Sequence, residues 1–117
     1  MDQLQTVTSE TVNLTEQRRL ALHQEFVEIL GNAKHVYFMP PNGTLMCYPA
    51  IVYYVGGGND VHADNTRYIP RTTFDVTLIE SDPLSFRVDA IRGLKYASYL
   101  TSFKKDGFHQ HKFKIIR

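Results

Sequence analysis

The chain has 117 residues, a size that favours a single domain, and 43% of them are hydrophobic, enough for a core. Its net charge of +1 argues against an extended nucleic-acid footprint, and its single cysteine excludes an internal disulfide. The N-terminus lacks the regions of a signal peptide, and no apolar run approaches the roughly 20 residues that cross a bilayer, so we expect a soluble domain without a membrane partner.

The first predicted element is a helix over Thr15–Leu30, which follows a flexible, Thr-rich segment at residues 1–13. Gly31 suits the left-handed position that ends a helix. One buried face is indicated by apolar residues at i, i+4, i+7 and i+8, namely Leu22, Phe26, Ile29 and Leu30. Leu20 and Val27 lie beside this stripe. They belong either to a wide core face or to a flank that meets another subunit.

Three strands are predicted next, over His35–Met39, Ala50–Val55 and Thr72–Ile79. The second is apolar at every position, which is typical of a strand covered on both sides. Helices can cover one side, and we expect a neighbouring subunit to cover the other. The third alternates between apolar and polar residues, which is typical of a strand with one buried and one solvent-exposed face.

A polar, glycine-rich segment, Gly56–Tyr68, is predicted to be a long loop between the second and third strands. A compact domain rarely carries so long a loop unless it contacts something. We therefore predict that this loop and its apolar neighbours form subunit or partner contacts. The predicted contact residues are Leu20, Val27, Tyr53, Tyr54, Asn59, Asp60, His62, Asp64, Asn65, Arg67 and Tyr68.

A second helix is predicted over Pro83–Arg92, with Asp82 as its N-cap. Strands at Tyr96–Phe103 and Phe108–Ile116 then flank an Asp-Gly hairpin turn. The order of elements is α-β-β-β-α-β-β. It predicts one α+β domain over residues 14–117, with two helices packed on one face of a mainly antiparallel sheet.

The sequence predicts no catalytic, cofactor or metal site. His109 and His111 lie two apart on the last predicted strand and share a face, but no third metal ligand accompanies them. The Gly56–Gly58 run lacks the residues that follow a phosphate-binding loop. Cys47 is expected to be partly buried and inert. No nucleophile–base pairing is recognisable, so we expect that the protein is not an enzyme.

In order, the segments HVYFMPPNGTLMCYPAIVYY, ADNTRY, FDVTLIESDP and DGFHQHKFKI resemble the tail-terminator, or tail-completion, proteins of long-tailed bacteriophages. The likeness runs from about Leu30 to Ile116. Two stretches depart from the family pattern: Leu84–Arg87 replaces an acidic stretch, and Tyr96–Ala97 replaces a proline and a cysteine. Partner specificity is therefore not carried over from the family.

The resemblance implies a structural virion protein, assembled in the host cytoplasm and located at the head-proximal end of the tail. Such proteins form a ring, typically of six subunits, that ends polymerisation of the major tail tube protein. The ring also offers a surface to the neck or head-completion protein, and DNA can pass through its lumen. The implied fold is α+β, with helices on one side of a sheet.

Three other functions stay open on the sequence. One is a head-completion (stopper) protein of the neck, and another is a protein-binding adaptor unrelated to virions. The third is a hydrolase or metalloenzyme. Rings that cap tail tubes would distinguish the terminator from the others.

Overall fold

The predicted succession of helices and strands is confirmed in a computed structural model, which describes the backbone of residues 2–63 and 67–117 and the side chains of residues 15–56 and 71–117. A single 3₁₀ turn, Ala33–His35, is added before the first strand. The elements are α1 (Asp2–Leu30), β1 (Val36–Phe38), β2 (Ala50–Ala63), β3 (Arg67–Glu80), α2 (Phe86–Arg92), β4 (Ala97–Lys105) and β5 (Phe108–Ile116).

The strands form one sheet in the order β1-β2-β3-β5-β4. β1 runs parallel to β2, and every other neighbouring pair is antiparallel. Asp106 and Gly107 both have positive φ at the β4–β5 turn, as the predicted Asp-Gly hairpin requires. The α+β class and the mainly antiparallel sheet are therefore confirmed.

Both helices pack against the same face of the sheet. Register pairs Ile51 with Leu78 and Tyr53 with Val76, which places these side chains together on that face. Leu22 and Phe26 of α1 are fully buried against them. The remaining core residues come from α2 and the strands: Val36, Phe74, Val88, Ile91, Phe113 and Ile115. Complete burial of one such side chain contributes about 1.5–3 kcal/mol, so this layer holds the fold together.

The start of α1 was predicted wrongly. The helix begins at Asp2 and not near Thr15. The Thr-rich stretch suggested a non-helical segment, but neither glycine nor proline occurs anywhere between Asp2 and Leu30. Threonine lowers helix propensity by well under 1 kcal/mol per residue, which is too little to stop a helix. At the other end, Gly31 has φ +77° and its N–H donates to Val27 O, so the predicted stop is confirmed.

The long loop at Gly56–Tyr68 was also predicted wrongly. β2 continues to Ala63 and β3 starts at Arg67, and the two are paired from Gly57–Thr73 to Ala63–Arg67. Backbone groups pair across a hairpin whatever the side chains are, so polar residues do not prevent it. The register shifts between Val55 and Gly57, where a bulge accommodates the extra residue.

Gly56 lies at this bulge in close contact with β3. A Cβ added there would stand 2.6 Å from a carboxylate oxygen of Asp75. The Asp75 side chain is exposed and can rotate away, so this contact by itself does not require glycine.

The start of α2 also differs from the prediction. The helix begins at Phe86, and its N-cap is Ser85, whose hydroxyl accepts from Arg87 N at 3.1 Å. Asp82 instead accepts from Leu84 N at 2.9 Å, which closes a local turn before the helix. The competing side-chain bond explains why the Asp-Pro pair precedes the helix without capping it.

Candidate functional site

The predicted contact residues that the structure describes do not form one surface. Leu20, on α1, is 52% exposed, and Val27 packs partly buried against the core. Tyr54 is 43% exposed and pairs with Asp75 on the sheet face opposite the helices. Tyr53 is fully buried. Leu20 and Tyr54 therefore face different sides of the molecule.

Tyr53, one of the predicted interface residues, is buried within the subunit and makes its polar contacts there. Its hydroxyl oxygen lies 3.0 Å from Arg19 Nη1 and 2.6 Å from His23 Nδ1. Arg19 can donate to that oxygen, which leaves the hydroxyl hydrogen for His23. The ring packs edge-on against Phe26 and Phe74, with centroids 5.2 and 6.0 Å away. Tyr53 thus fastens α1 to the sheet.

These contacts alter the ionisation of the buried groups. Burial raises the pKa of Tyr53, although the hydrogen bond from Arg19 acts in the opposite direction. Burial, followed by the charge of Arg19, lowers the pKa of His23. Both effects favour the neutral forms, as expected where a hydroxyl and an imidazole share a hydrogen bond inside a core.

Most side chains of the apolar strand that suggested a subunit contact are already buried within the single subunit. Ile51 and Tyr53 face the helices, while Val52 lies on the other face between Tyr37 and Thr77 and is only 5% exposed. Tyr37 is further covered, because its hydroxyl accepts from the backbone N–H of Cys47 at 2.8 Å. The segment before β2 therefore lies beside this face.

The rest of the predicted set falls on the β2–β3 hairpin. Asn59, Asp60 and His62 lie on β2, and Arg67 and Tyr68 begin β3. Their side chains lie outside the described set. Asp64 and Asn65 lie outside the described residues altogether. The contact role of these seven residues stays a prediction.

A cluster that the sequence did not single out lies where β2 and β5 begin and β3 ends. Tyr48 stacks on Phe108 with ring centroids 4.3 Å apart, and both border a concavity of about 170 Å³. Leu84 and Phe86, on either side of the α2 N-cap, are 90% and 66% exposed. These four residues, Tyr48, Leu84, Phe86 and Phe108, are called the apolar end surface.

A buried polar group supports this surface. Glu80 follows Phe74, Val76 and Leu78 on the core side of β3 and is 4% exposed. Its Oε1 lies 3.7 Å from Nη1 of Arg87, the residue after Phe86. Since this contact joins α2 to the sheet, it helps to fix the position of the apolar end surface. The continued alternation on β3 was a signal that could have identified Glu80 from sequence.

His111 lies on the same side of the sheet and is 4% exposed. Its Nδ1 is 3.1 Å from the hydroxyl of Tyr99, and its ring stacks on that of His109 at 6.5 Å. Burial lowers the pKa of His111, while Glu80 acts to raise it. Glu80 Oε2 and His111 Nε2 are both buried without a hydrogen-bond partner among the described residues.

The shared face of the two histidines does not create a metal centre in the part of the chain whose side chains are described. There, no three His, Cys, Asp or Glu residues stand together as metal ligands.

Cys47, expected to be partly buried, is exposed, because it belongs to the segment between β1 and β2 and not to a strand. Across the described helices, none is long and apolar enough to span a membrane.

Neither a protein-family model nor a curated protein matches this chain.

Proposed function

We propose that this protein is a tail terminator of a long-tailed bacteriophage. In this proposal it forms a ring, typically of six subunits, at the head-proximal end of the tail tube. The ring ends polymerisation of the major tail tube protein and presents a surface to the neck or head-completion protein. The support from the sequence is the ordered set of segments between Leu30 and Ile116 that resembles this family.

The apolar end surface is the structural observation that best supports a role in protein contact. Leu84 and Phe86 leave most of their side-chain area in water, and Arg87, the residue after Phe86, borders the same concavity as the stacked pair Tyr48 and Phe108. Single exposed apolar residues are ordinary, but a group of them with aromatic members is typical of interfaces. The Glu80–Arg87 contact gives this group a fixed support.

A closed ring also needs a second, different patch on each subunit. Among the predicted contact residues whose side chains the structure describes, Leu20, on the helical side, and Tyr54, on the opposite side, are exposed. Neither residue belongs to the apolar end surface: Leu20 lies on α1 and Tyr54 on β2. Apolar side chains on separate sides of one subunit fit the heterologous contacts of a ring better than a single two-fold contact.

Electron microscopy of the purified protein, alone and mixed with purified tail tubes, tests the proposal. Rings seated on one end of the tubes, with tube length no longer increasing, are the expected result. Binding to isolated heads without capping of tubes would favour a head-completion protein instead. Failure to bind either tubes or heads would leave a non-viral adaptor as the better explanation.

A further inference from the structure

A second concavity lies at the opposite end of β3, where α1, β3 and the end of β5 meet. Its volume is about 200 Å³. Four cationic side chains from separate parts of the chain line it together with one aromatic ring: Arg18, Arg71, Lys95, Tyr96 and Arg117. We call this the basic concavity. Nothing in the role of a tail terminator as described above uses it.

Two of its cations share one aromatic ring. The guanidinium of Arg71 stands 5.8 Å, and the ammonium of Lys95 5.2 Å, from the centre of Tyr96. Attraction to the ring quadrupole offsets part of the repulsion between the like charges. Tyr96 itself has φ +59°, a conformation that costs a bulky residue of order 1 kcal/mol and is often found at functional sites.

The third cation, Arg117, is held firmly. Its backbone exchanges two hydrogen bonds with Thr72, at 2.9 and 3.1 Å, and its Nη2 donates to Glu25 at 3.2 Å. Its Nε is buried without a hydrogen-bond partner among the described residues. The neighbouring Ile116 N–H donates to Tyr96 O at 3.2 Å, so the positions of Arg117 and Tyr96 are linked through the backbone.

We propose that the basic concavity binds a phosphate group. Glu25 offsets the charge of Arg117, but none of the described residues that line the concavity is acidic. A bound oxyanion reduces the remaining repulsion between the cations and accepts charge-assisted hydrogen bonds from them. The charged groups of Arg71 and Lys95 both lie near the Tyr96 ring, so the positive charge of the concavity is concentrated around this ring. The recognised chemistry is therefore the phosphate itself, free or within a nucleic-acid backbone. The site lies within one subunit, so binding is expected with or without a ring.

Isothermal titration calorimetry of the full chain with inorganic phosphate, at low ionic strength, tests this proposal. We expect saturable binding to the wild-type protein and an affinity about tenfold lower for the Arg71→Gln/Lys95→Gln variant. The matched control is Lys104→Gln/Lys105→Gln, which removes the same charge from exposed positions on β4. This control should change the affinity by less than about twofold. Thermal melting establishes that each variant is folded.

A second experiment, which measures binding of a fluorescent DNA duplex, distinguishes a nucleic-acid backbone phosphate from a small oxyanion as the ligand. Competition between duplex and inorganic phosphate, with the same loss in the Arg71→Gln/Lys95→Gln variant, would identify a backbone phosphate. Phosphate binding without duplex binding would identify a small oxyanion. Equal weakening in the control variant, no binding of phosphate by the wild-type protein, or binding of acidic peptides in preference to phosphate would each overturn the proposal.

Discussion

The hydroxyl oxygen of Tyr53 lies 2.6 Å from Nδ1 of His23, so β2 and α1 are joined by a partly buried hydrogen bond at the edge of the core. Arg19 adds a second bond to the same oxygen at 3.0 Å and places its guanidinium 4.3 Å from the centre of the Phe38 ring. A tyrosine whose sequence context suggests an intermolecular contact therefore performs an intramolecular one. This contact also fixes the height of α1 above the sheet.

Replacing Tyr53 with Phe is expected to destabilise the protein by about 1–2 kcal/mol. The ring stays in place, but Arg19 and His23 lose a hydrogen-bond partner in a partly buried setting. The matched control is Tyr54→Phe at a 43%-exposed position, which should change the free energy of unfolding by less than about 0.5 kcal/mol. Urea denaturation followed by circular dichroism measures both. Equal stability of the two variants would contradict the structural role of the Tyr53 hydroxyl.

Stability is expected to fall as the pH decreases from about 7.5 to about 5. Burial lowers the pKa of both His23 and His111 below the ordinary value of 6.5. The unfolded chain therefore binds more protons in this range than the folded one. The stabilising contribution is complete about one pH unit above the ordinary pKa of 6.5 and is lost as the pH falls towards the folded-state pKa values.

The free energy of unfolding, measured in urea at a series of pH values, checks this prediction. His23→Gln and His111→Gln should each reduce the slope against pH. Ser102→Ala, at an exposed position opposite His111 in the β4–β5 register, should leave the slope unchanged. Stability that is constant or rises towards pH 5 in the wild-type protein would show that neither histidine is buried in its neutral form.

Removing Arg87, the positive partner of Glu80, is expected to lower the free energy of unfolding more than removing both charged residues does. Arg87→Met leaves a carboxylate that is 4% exposed without its cation and should destabilise by roughly 2 kcal/mol. This is below the cost for a fully buried pair, because the Arg87 side chain is 26% exposed. The Glu80→Met/Arg87→Met double variant should recover much of that loss. A double variant less stable than Arg87→Met would contradict this account.

The apolar end surface offers a test of contact that is separate from folding. Leu84→Asp should leave the free energy of unfolding within about 0.5 kcal/mol of wild type, because 90% of the side chain is already in water. Under the proposed function, it should abolish capping of tail tubes in electron micrographs. Leu45→Asp, at a 95%-exposed position outside this surface, is the matched control. Normal capping by Leu84→Asp would exclude Leu84 from the contact.

The positions of most elements could be predicted from short-range patterns, since a buried face repeats at fixed spacing along a helix or strand. Leu22 and Phe26 on α1, and Phe74 on β3, are buried as their spacing indicates. The candidate sites were less predictable. Glu80 follows the same alternation, but the basic concavity joins residues from Arg18 to Arg117, and only the folded sheet brings them together.

The sequence by itself determined the class of fold and the order of its elements, because hydrophobic spacing and the turn residues Gly31 and Asp106–Gly107 act locally. Tertiary structure decided which apolar residues stay exposed. Alternation places Ile51 and Tyr53 on one face, but packing of α1 determines that this face is covered. Pairing with β3 likewise turned the polar segment after Val55 into strand, since cross-strand backbone hydrogen bonds do not depend on side-chain polarity.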